Sequence, residues 1–242
     1  NQLSLSLDIG CRGEYNNHMR KEKFVPNEYY HIYNSTIMNV PIFKNDQNTK
    51  RLKQSMLFAN STISSKIFQF LRDSEQSSEI KFIEATNMLK EGEKLVDILC
   101  YVIMPDHYHM LIKERKENGI INFVRKCDIS ITKYINTKDK RRGPIFESLF
   151  KSKHVDSNEY LLHLSTYIHL NPLDIISGRE WRNHKLKNWS KIRKKITDYP
   201  WSSLKFFINN DLDPIISGEG VVLEQFKNKK DYELFLCEWS ED

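Results

Sequence analysis

The stretch 95–113, LVDILCYVIMPDHYHMLIK, is two apolar runs meeting at a Pro-Asp corner, the pattern of paired core strands. Side chains alternate along a strand, so His107 and His109 share one face with Cα atoms roughly 7 Å apart, and Tyr108 takes the other. Such a His-x-His pair reads in two ways, as polar residues on a wet face or as two ligands for a metal. Position favours the second. Val102, Ile103 and Met104 precede the pair and Met110, Leu111 and Ile112 follow it, and imidazoles at the mouth of a core strand need partners.

Downstream, the spacing of Phe123, Cys127, Ile131, Tyr134 and Ile135 predicts a helix over 120–136, with Arg125, Lys126 and Lys133 off its buried stripe. Lys138, Lys140, Arg141 and Arg142 then lead through Gly143-Pro144 into a strand expected at 149–155. That strand carries Lys151 and Lys153 on one face and Phe150, Ser152 and His154 on the other. Cations at alternate positions can track a phosphate backbone, although a solvated loop and strand face explains the same run. Upstream, 29–34 (YYHIYN) reads as the first strand, and Asn45 or Asp46 can cap a helix to Ala59 with Leu52, Met56 and Leu57 on one stripe. Ile67, Phe68, Phe70 and Leu71 keep a helical pattern within the Ser-rich 60–78, and 80–85 is expected to add a short strand.

The segment 156–172, DSNEYLLHLSTYIHLNP, has its helix limits written into it. Asp156 and Glu159 form a capping-box pattern, and Pro172 is expected to stop the helix, with Asn171 pushed out of helical geometry before it. Leu161, Leu164 and Ile168 make the apolar face, and His163, Tyr167 and Asn171 line up one turn apart in a separate row.

Hydrophobic residues make up 39% of the 242, enough for a real core in one large domain with appendages. A surplus of five positive charges is a mild hint of a polyanion and decides nothing alone. Cys11, Cys100, Cys127 and Cys237 include no Cys-x-x-Cys pair, which points to buried thiols in a reducing compartment. No apolar run approaches a membrane span and no basic-then-apolar leader opens the sequence, so a soluble cytoplasmic protein without a membrane partner is expected. Residues 1–18 have little periodicity and are expected to be a disordered tail or sequence upstream of the natural start at Met19.

The ordered set of Tyr30-His31-Ile32-Tyr33-Asn34, Met104-Pro105-Asp106 with its His-x-His strand, Tyr167-Ile168-His169-Leu170-Asn171-Pro172 and Asp198-Tyr199-Pro200-Trp201-Ser202-Ser203 resembles the single-tyrosine HUH transposases, most closely the REP-associated tyrosine transposases. The resemblance covers 24–208. It implies an α+β fold, an antiparallel ferredoxin-like sheet carrying the histidines centrally with helices on one side. The implied domains are 19–208 for the transposase and 209–242 for a C-terminal extension, packed as a final helix through Phe226, Tyr232, Phe235, Leu236 and Trp239.

The resemblance further implies a metal-dependent single-stranded DNA endonuclease and strand transferase acting at hairpin-associated sites, with Mg²⁺ or Mn²⁺ as cofactor. Carried across by residue, His107 and His109 are the metal pair, Asn171 completes the site and Tyr167 is the nucleophile that forms a 5′-phosphotyrosine. His163 and His169 are the nearest candidates for a general base, with surface or capping roles as their ordinary reading. Candidates to hold DNA are Arg141, Arg142, Lys151 and Lys153, and the run Lys185, Lys187, Lys191, Arg193, Lys194 and Lys195 with Trp181 and Trp189 interleaved, which reads equally as a solvated basic linker. No nucleotide cofactor is expected, in keeping with the lack of a Gly-x-x-x-x-Gly-Lys loop. A single tyrosine leaves two routes to a full cycle, a homodimer or two sequential reactions. One departure is Asn34-Ser35-Thr36, where the family's usual Asn-Arg-Gly would supply an arginine; another is the length of 60–94. Two other readings stay open, a non-cleaving DNA-binding protein with the same fold and a metal-dependent hydrolase unrelated to DNA.

Overall fold

The Pro-Asp corner closes a tight hairpin. In the computed structural model, which describes residues 23–182, 188–209, 211–218 and 220–239, strands β2 (Val96–Ile103) and β3 (His107–Glu114) join through Met104-Pro105-Asp106. The Met104 N–H donates to the His107 carbonyl at 2.7 Å. Strand β1 (Tyr29–Ser35) pairs antiparallel with β3, Tyr33 opposite His109, and β4 (Lys151–Val155) pairs antiparallel with the far edge of β1. The order β2-β3-β1-β4 places the histidine strand in the interior of the sheet, as expected.

Helix α1 (Asp46–Ala59) lies between β1 and β2 in sequence, followed by α2 (Ser64–Asp73) and α3 (Ser78–Met88), and α4 (Gly119–Lys138) lies between β3 and β4. With α1 and α4 as its two crossovers the chain traces a βαββαβ, ferredoxin-like path. Local chemistry starts these helices where they start. The Asn45 side chain accepts from the Gln47 and Asn48 amides at the head of α1. The wholly buried Glu114, last residue of β3, accepts from the Gly119 and Ile120 amides at 3.1 and 3.2 Å, so the histidine strand caps α4 directly. A Cβ on Gly119 would sit 2.4 Å from the Leu95 carbonyl oxygen, so only glycine lets α4 begin this close to β2.

The sheet is covered on both faces, which corrects the expectation of helices on one side. Tyr30, Ile32, Tyr108, Met110 and Ile112 meet Phe123, Cys127 and Ile131 in the core beneath α1 and α4. Val102 and Leu111 face the other way, under Leu161, Leu164 and Ile168 of α5 (Asn158–Leu170). The reason is visible in β3 itself, where Met110 and Leu111 are both fully buried: a strand apolar on both faces needs two layers. A bulge between Ile98 and Cys100 adjusts the facing of β2.

Three further expectations are corrected. Residues 80–85 form part of α3, where the Ser77 side chain accepts from the Ile80 amide and only Ala85 is fully buried, against Phe58 and Ile67. Ile80, Phe82 and Ile83 themselves are exposed, with the Phe82 ring 5.5 Å from that of Phe58 on α1. Ser157, not Asp156, caps α5 by accepting from the Tyr160 amide at 3.2 Å. Pro172 does not end helical geometry: Asn171 keeps φ −52°, ψ −35°, and Pro172 opens α6 (Leu173–Ile176). A ring that fixes φ near −65° and lacks an N–H fits the first turn of a new helix at little cost.

The rest of the chain, α7 (Trp189–Thr197), α8 (Leu204–Ile208), α9 (Gly220–Leu223) and α10 (Lys229–Trp239), completes the α5 side. The 198–203 motif seals the outer edge of β2: the Ile103 N–H donates to the Trp201 carbonyl at 2.8 Å and the Ser203 N–H to the Tyr101 carbonyl at 3.0 Å. Tyr232 and Leu236 of α10 are fully buried in the α5 core. Among the described residues no helix is long and apolar enough to cross a membrane.

Candidate active site

Alternation along β3 sends Tyr108 toward α4, where its hydroxyl donates to Asp128 at 3.0 Å, and sends His107 and His109 toward α5. The two imidazole rings lie 5.0 Å apart between centroids, nearly perpendicular, and His109 lies 5.5 Å from the ring of Tyr167 on α5. Each histidine is engaged through Nδ1. The His107 Nδ1 is 2.6 Å from Asp106 Oδ1, and the His109 Nδ1 is 2.9 Å from Nε2 of His31 on β1, in a buried stacked pair. The His109 Nε2 is buried and has no hydrogen-bond partner among the described residues.

Asn171 follows Tyr167 by one turn, and because the backbone stays helical there, it keeps the register of the His163, Tyr167, Asn171 row. Its side-chain oxygen and nitrogen are both buried and lack a hydrogen-bond partner among the described residues. A buried amide left so is costly, and it marks a place where another group belongs. Tyr167 is itself nearly buried; its ring packs against Trp181, and the Arg182 guanidinium lies 5.5 Å above its centroid. Asp174 holds this cover, accepting from Trp181 Nε1 at 2.7 Å and from Arg182 Nη2 at 2.7 Å.

The electrostatics keep the inner imidazoles neutral. Burial pushes His31 down to about 3, with the charge of Lys153 adding to it. Burial, then the charges of His107, His31 and Arg182, holds His109 well below the usual histidine range. At Asp106 burial works against ionisation, but the hydrogen bond and charge of His107, with Arg179 beyond, outweigh it and hold the carboxyl below its ordinary value. Around the phenol the pocket thus brings the neutral His109 imidazole, an amide and one guanidinium.

Of the other sequence candidates, Lys151 and Lys153 share this face, since they pair with Tyr33 and His31 across β1–β4, and Lys153 Nζ lies 4.7 Å over the Tyr160 ring. Arg141 and Arg142 do not join them. Their loop follows α4 and is anchored by Ile145 and Phe146 in the opposite core, and Arg141 donates to its own loop's Pro144 carbonyl. Lys191, Lys194 and Lys195 are exposed on α7, but Arg193 is paired with Glu233, and Trp181 is buried on Tyr167 and so not open for base stacking. Lys185, Lys187 and residues 1–18 lie outside the described residues, as does the side chain of Trp239. His163 is half-buried, 3.9 Å from Glu159. His169 takes neither a surface nor a capping place: it is fully buried between Tyr232 Oη at 2.6 Å and Ser203 Oγ at 2.8 Å, a satisfied core histidine.

Sequence reasoning missed His31, Asp106, Asp174 and Arg182 as parts of the site. Asp106 was adjacent to the pair and visible; His31 and Tyr33 alternate like His107 and His109, but only the β1–β3 register brings them alongside. Asp174 and Arg182 come together through the turn of α6, which no short motif encodes.

The site is thus an interior histidine strand in an antiparallel α+β sheet, faced by a helix that carries a buried tyrosine. Residues 75–171, from just before α3 through the tyrosine helix to Asn171, match the family model described as Transposase IS200 like. Among solved structures it is similar to a REP-associated tyrosine transposase bound to a REP hairpin, at 13% identity and a TM-score of 0.49, covering 83% of this chain and 90% of that one. It is also similar to a protein of Deinococcus radiodurans R1 described as a transposase, at 13% identity and a TM-score of 0.30, covering 62% and 95% respectively. No curated protein matches the chain.

Proposed function

We propose that the protein is a metal-dependent single-stranded DNA endonuclease and strand transferase that cleaves with Tyr167. One observation carries the reading: the His109 Nε2 and the Asn171 amide, both buried and without a hydrogen-bond partner among the described residues, come from the strand and helix that meet at Tyr167. His107, His109 and Asn171 would hold Mg²⁺ or Mn²⁺, which when bound supplies Lewis-acid neutralisation of phosphate charge. The residues fit such an ion, because each imidazole is steered through Nδ1 and retains Nε2. Among the described residues no three His, Cys, Asp or Glu side chains cluster to hold a metal, so the Asn171 oxygen is needed to complete the set.

In the reaction the Tyr167 oxygen forms a bond to phosphorus as the bond to the 3′ oxygen breaks. The proton lost by the phenol is matched by one gained at the leaving oxygen, giving a 3′-hydroxyl and a 5′-phosphotyrosine. The reverse attack by a 3′-hydroxyl joins strands without a nucleotide cofactor, since one ester replaces another. Arg182, above the ring and fixed by Asp174, offsets negative charge as it develops on the phosphate. Lys151 and Lys153 flank the site on β4 and suit the backbone of a single strand. A hairpin-associated target is part of this proposal, as is a nucleoid-associated, cytoplasmic setting.

The test is incubation of end-labelled hairpin oligonucleotides with Mn²⁺, run beside His109→Ala, Asn171→Ala and a chelator control. Cleavage that leaves a free 3′-hydroxyl and is lost in all three controls supports the reading. Tight binding without cleavage across a broad oligonucleotide pool would support the non-cleaving alternative instead.

A further inference from the structure

We infer that His31 is a positioning residue that fixes the tautomer of His109 and thereby aims its Nε2 lone pair into the Tyr167 pocket. A neutral imidazole carries one proton, and the partner of one ring nitrogen decides what the other presents. Between His109 Nδ1 and His31 Nε2, 2.9 Å apart, one nitrogen donates and the other accepts. With the proton on His109 Nδ1, His31 accepts, and the His109 Nε2 offers a lone pair. With the opposite assignment the His109 Nε2 would carry a hydrogen into a buried place where it has no acceptor among the described residues. The first arrangement therefore costs less even before any ligand binds.

The same logic governs His107, whose Nδ1 faces Asp106 Oδ1 at 2.6 Å. Both histidines are thus gripped at Nδ1, one by a carboxylate from its own corner and one by an imidazole from the neighbouring strand. His31 can serve because it is locked: its ring is buried, stacked on His109 at 5.0 Å and 26°, and flanked by Tyr33 at 4.8 Å. It lies outside the 75–171 segment matched to the family. The inference rests on the reading that His109 holds a divalent metal, but its first consequence belongs to the metal-free protein.

The experiment uses ¹⁵N-histidine-labelled full-length protein, with His31→Gln and His31→Phe beside wild type. Glutamine keeps an acceptor oxygen, and phenylalanine keeps the ring shape without one. Long-range proton–nitrogen spectra without metal should show His109 protonated at Nδ1 in wild type and in His31→Gln, and at Nε2 in His31→Phe. Mn²⁺ affinity, read from the electron paramagnetic resonance of the free ion, should fall about 10- to 100-fold in His31→Phe and stay within about 3-fold of wild type in His31→Gln. Wild-type His109 protonated at Nε2, or His31→Phe with unchanged tautomer and affinity, would overturn the inference. If wild type fails to bind Mn²⁺ at all, the metal reading falls, and the metal-free spectra still decide the role of His31.

Discussion

Tyr108 separates the two histidines and does unrelated work on the other face, where Asp128 accepts from its hydroxyl at 3.0 Å and from Asn34 Nδ2 at 3.0 Å. Burial pushes Asp128 up to about 7 from its ordinary 3.8, against the opposing pull of those two hydrogen bonds. The folded protein therefore keeps a proton that the unfolded chain releases, so this group's contribution to stability is fully present below about pH 4 and declines as pH rises toward 7. At roughly 1.4 kcal/mol per pH unit the loss is on the order of 4 kcal/mol at most. Asp128→Asn should flatten that slope, measured as urea unfolding at pH 4.5 and 7.5; an unchanged slope would remove Asp128 as its source. At the pocket itself, Arg182→Ala should slow single-turnover cleavage about 10- to 100-fold with less than about 1 kcal/mol change in stability, because its side chain is partly exposed. His107, His109, Tyr167 and Asn171 were singled out as candidates by chemistry and spacing, and the fold sets the two histidines beside Tyr167. His31 and Arg182 were not legible, because their partners are set by strand register and by a turn.

At the scale of elements, the pattern of apolar residues placed β1, β2, β3, β4, α1, α4 and α5 close to where they lie, since each has a strong period and a polar boundary. The 80–85 run misled because Ile80, Phe82 and Ile83 are exposed on α3, and β-branched or aromatic residues on the open side of a helix look like a strand. Pro172 misled because a proline that ends one helix and a proline that opens the next are the same residue in a sequence. Two junctions carry the geometry of the site. Gly119→Ala would force α4 off β2 and should cost about 1–3 kcal/mol in denaturant unfolding. Ser157→Ala removes the cap of the tyrosine helix and should cost about 1 kcal/mol, with no change at His107, His109 or Asn171. A neutral result for both would mean that these junctions do not set the helix positions.

For the whole molecule, the site depends on two layers meeting through one sheet, with α5 held from behind by the C-terminal helix. Tyr232 supplies a partner to both His169 and Ser165, so α10 completes the core beneath the tyrosine helix. We predict that truncation after Ile208 abolishes a cooperative unfolding transition in calorimetry, where a separable appendage would leave the main transition intact. The sequence alone could name the apolar residues of α10 but not the helix they press on. In the proposed reaction Tyr167 takes the DNA covalently. Incubating the protein with Mn²⁺ and single-stranded hairpin oligonucleotides, then digesting both components and weighing the peptides, tests it directly. The expected product is a peptide carrying a 5′-linked nucleotide on Tyr167, absent in Tyr167→Phe and absent without metal; a nucleotide on another residue, or an adduct that persists in Tyr167→Phe, would rule out Tyr167 as the nucleophile.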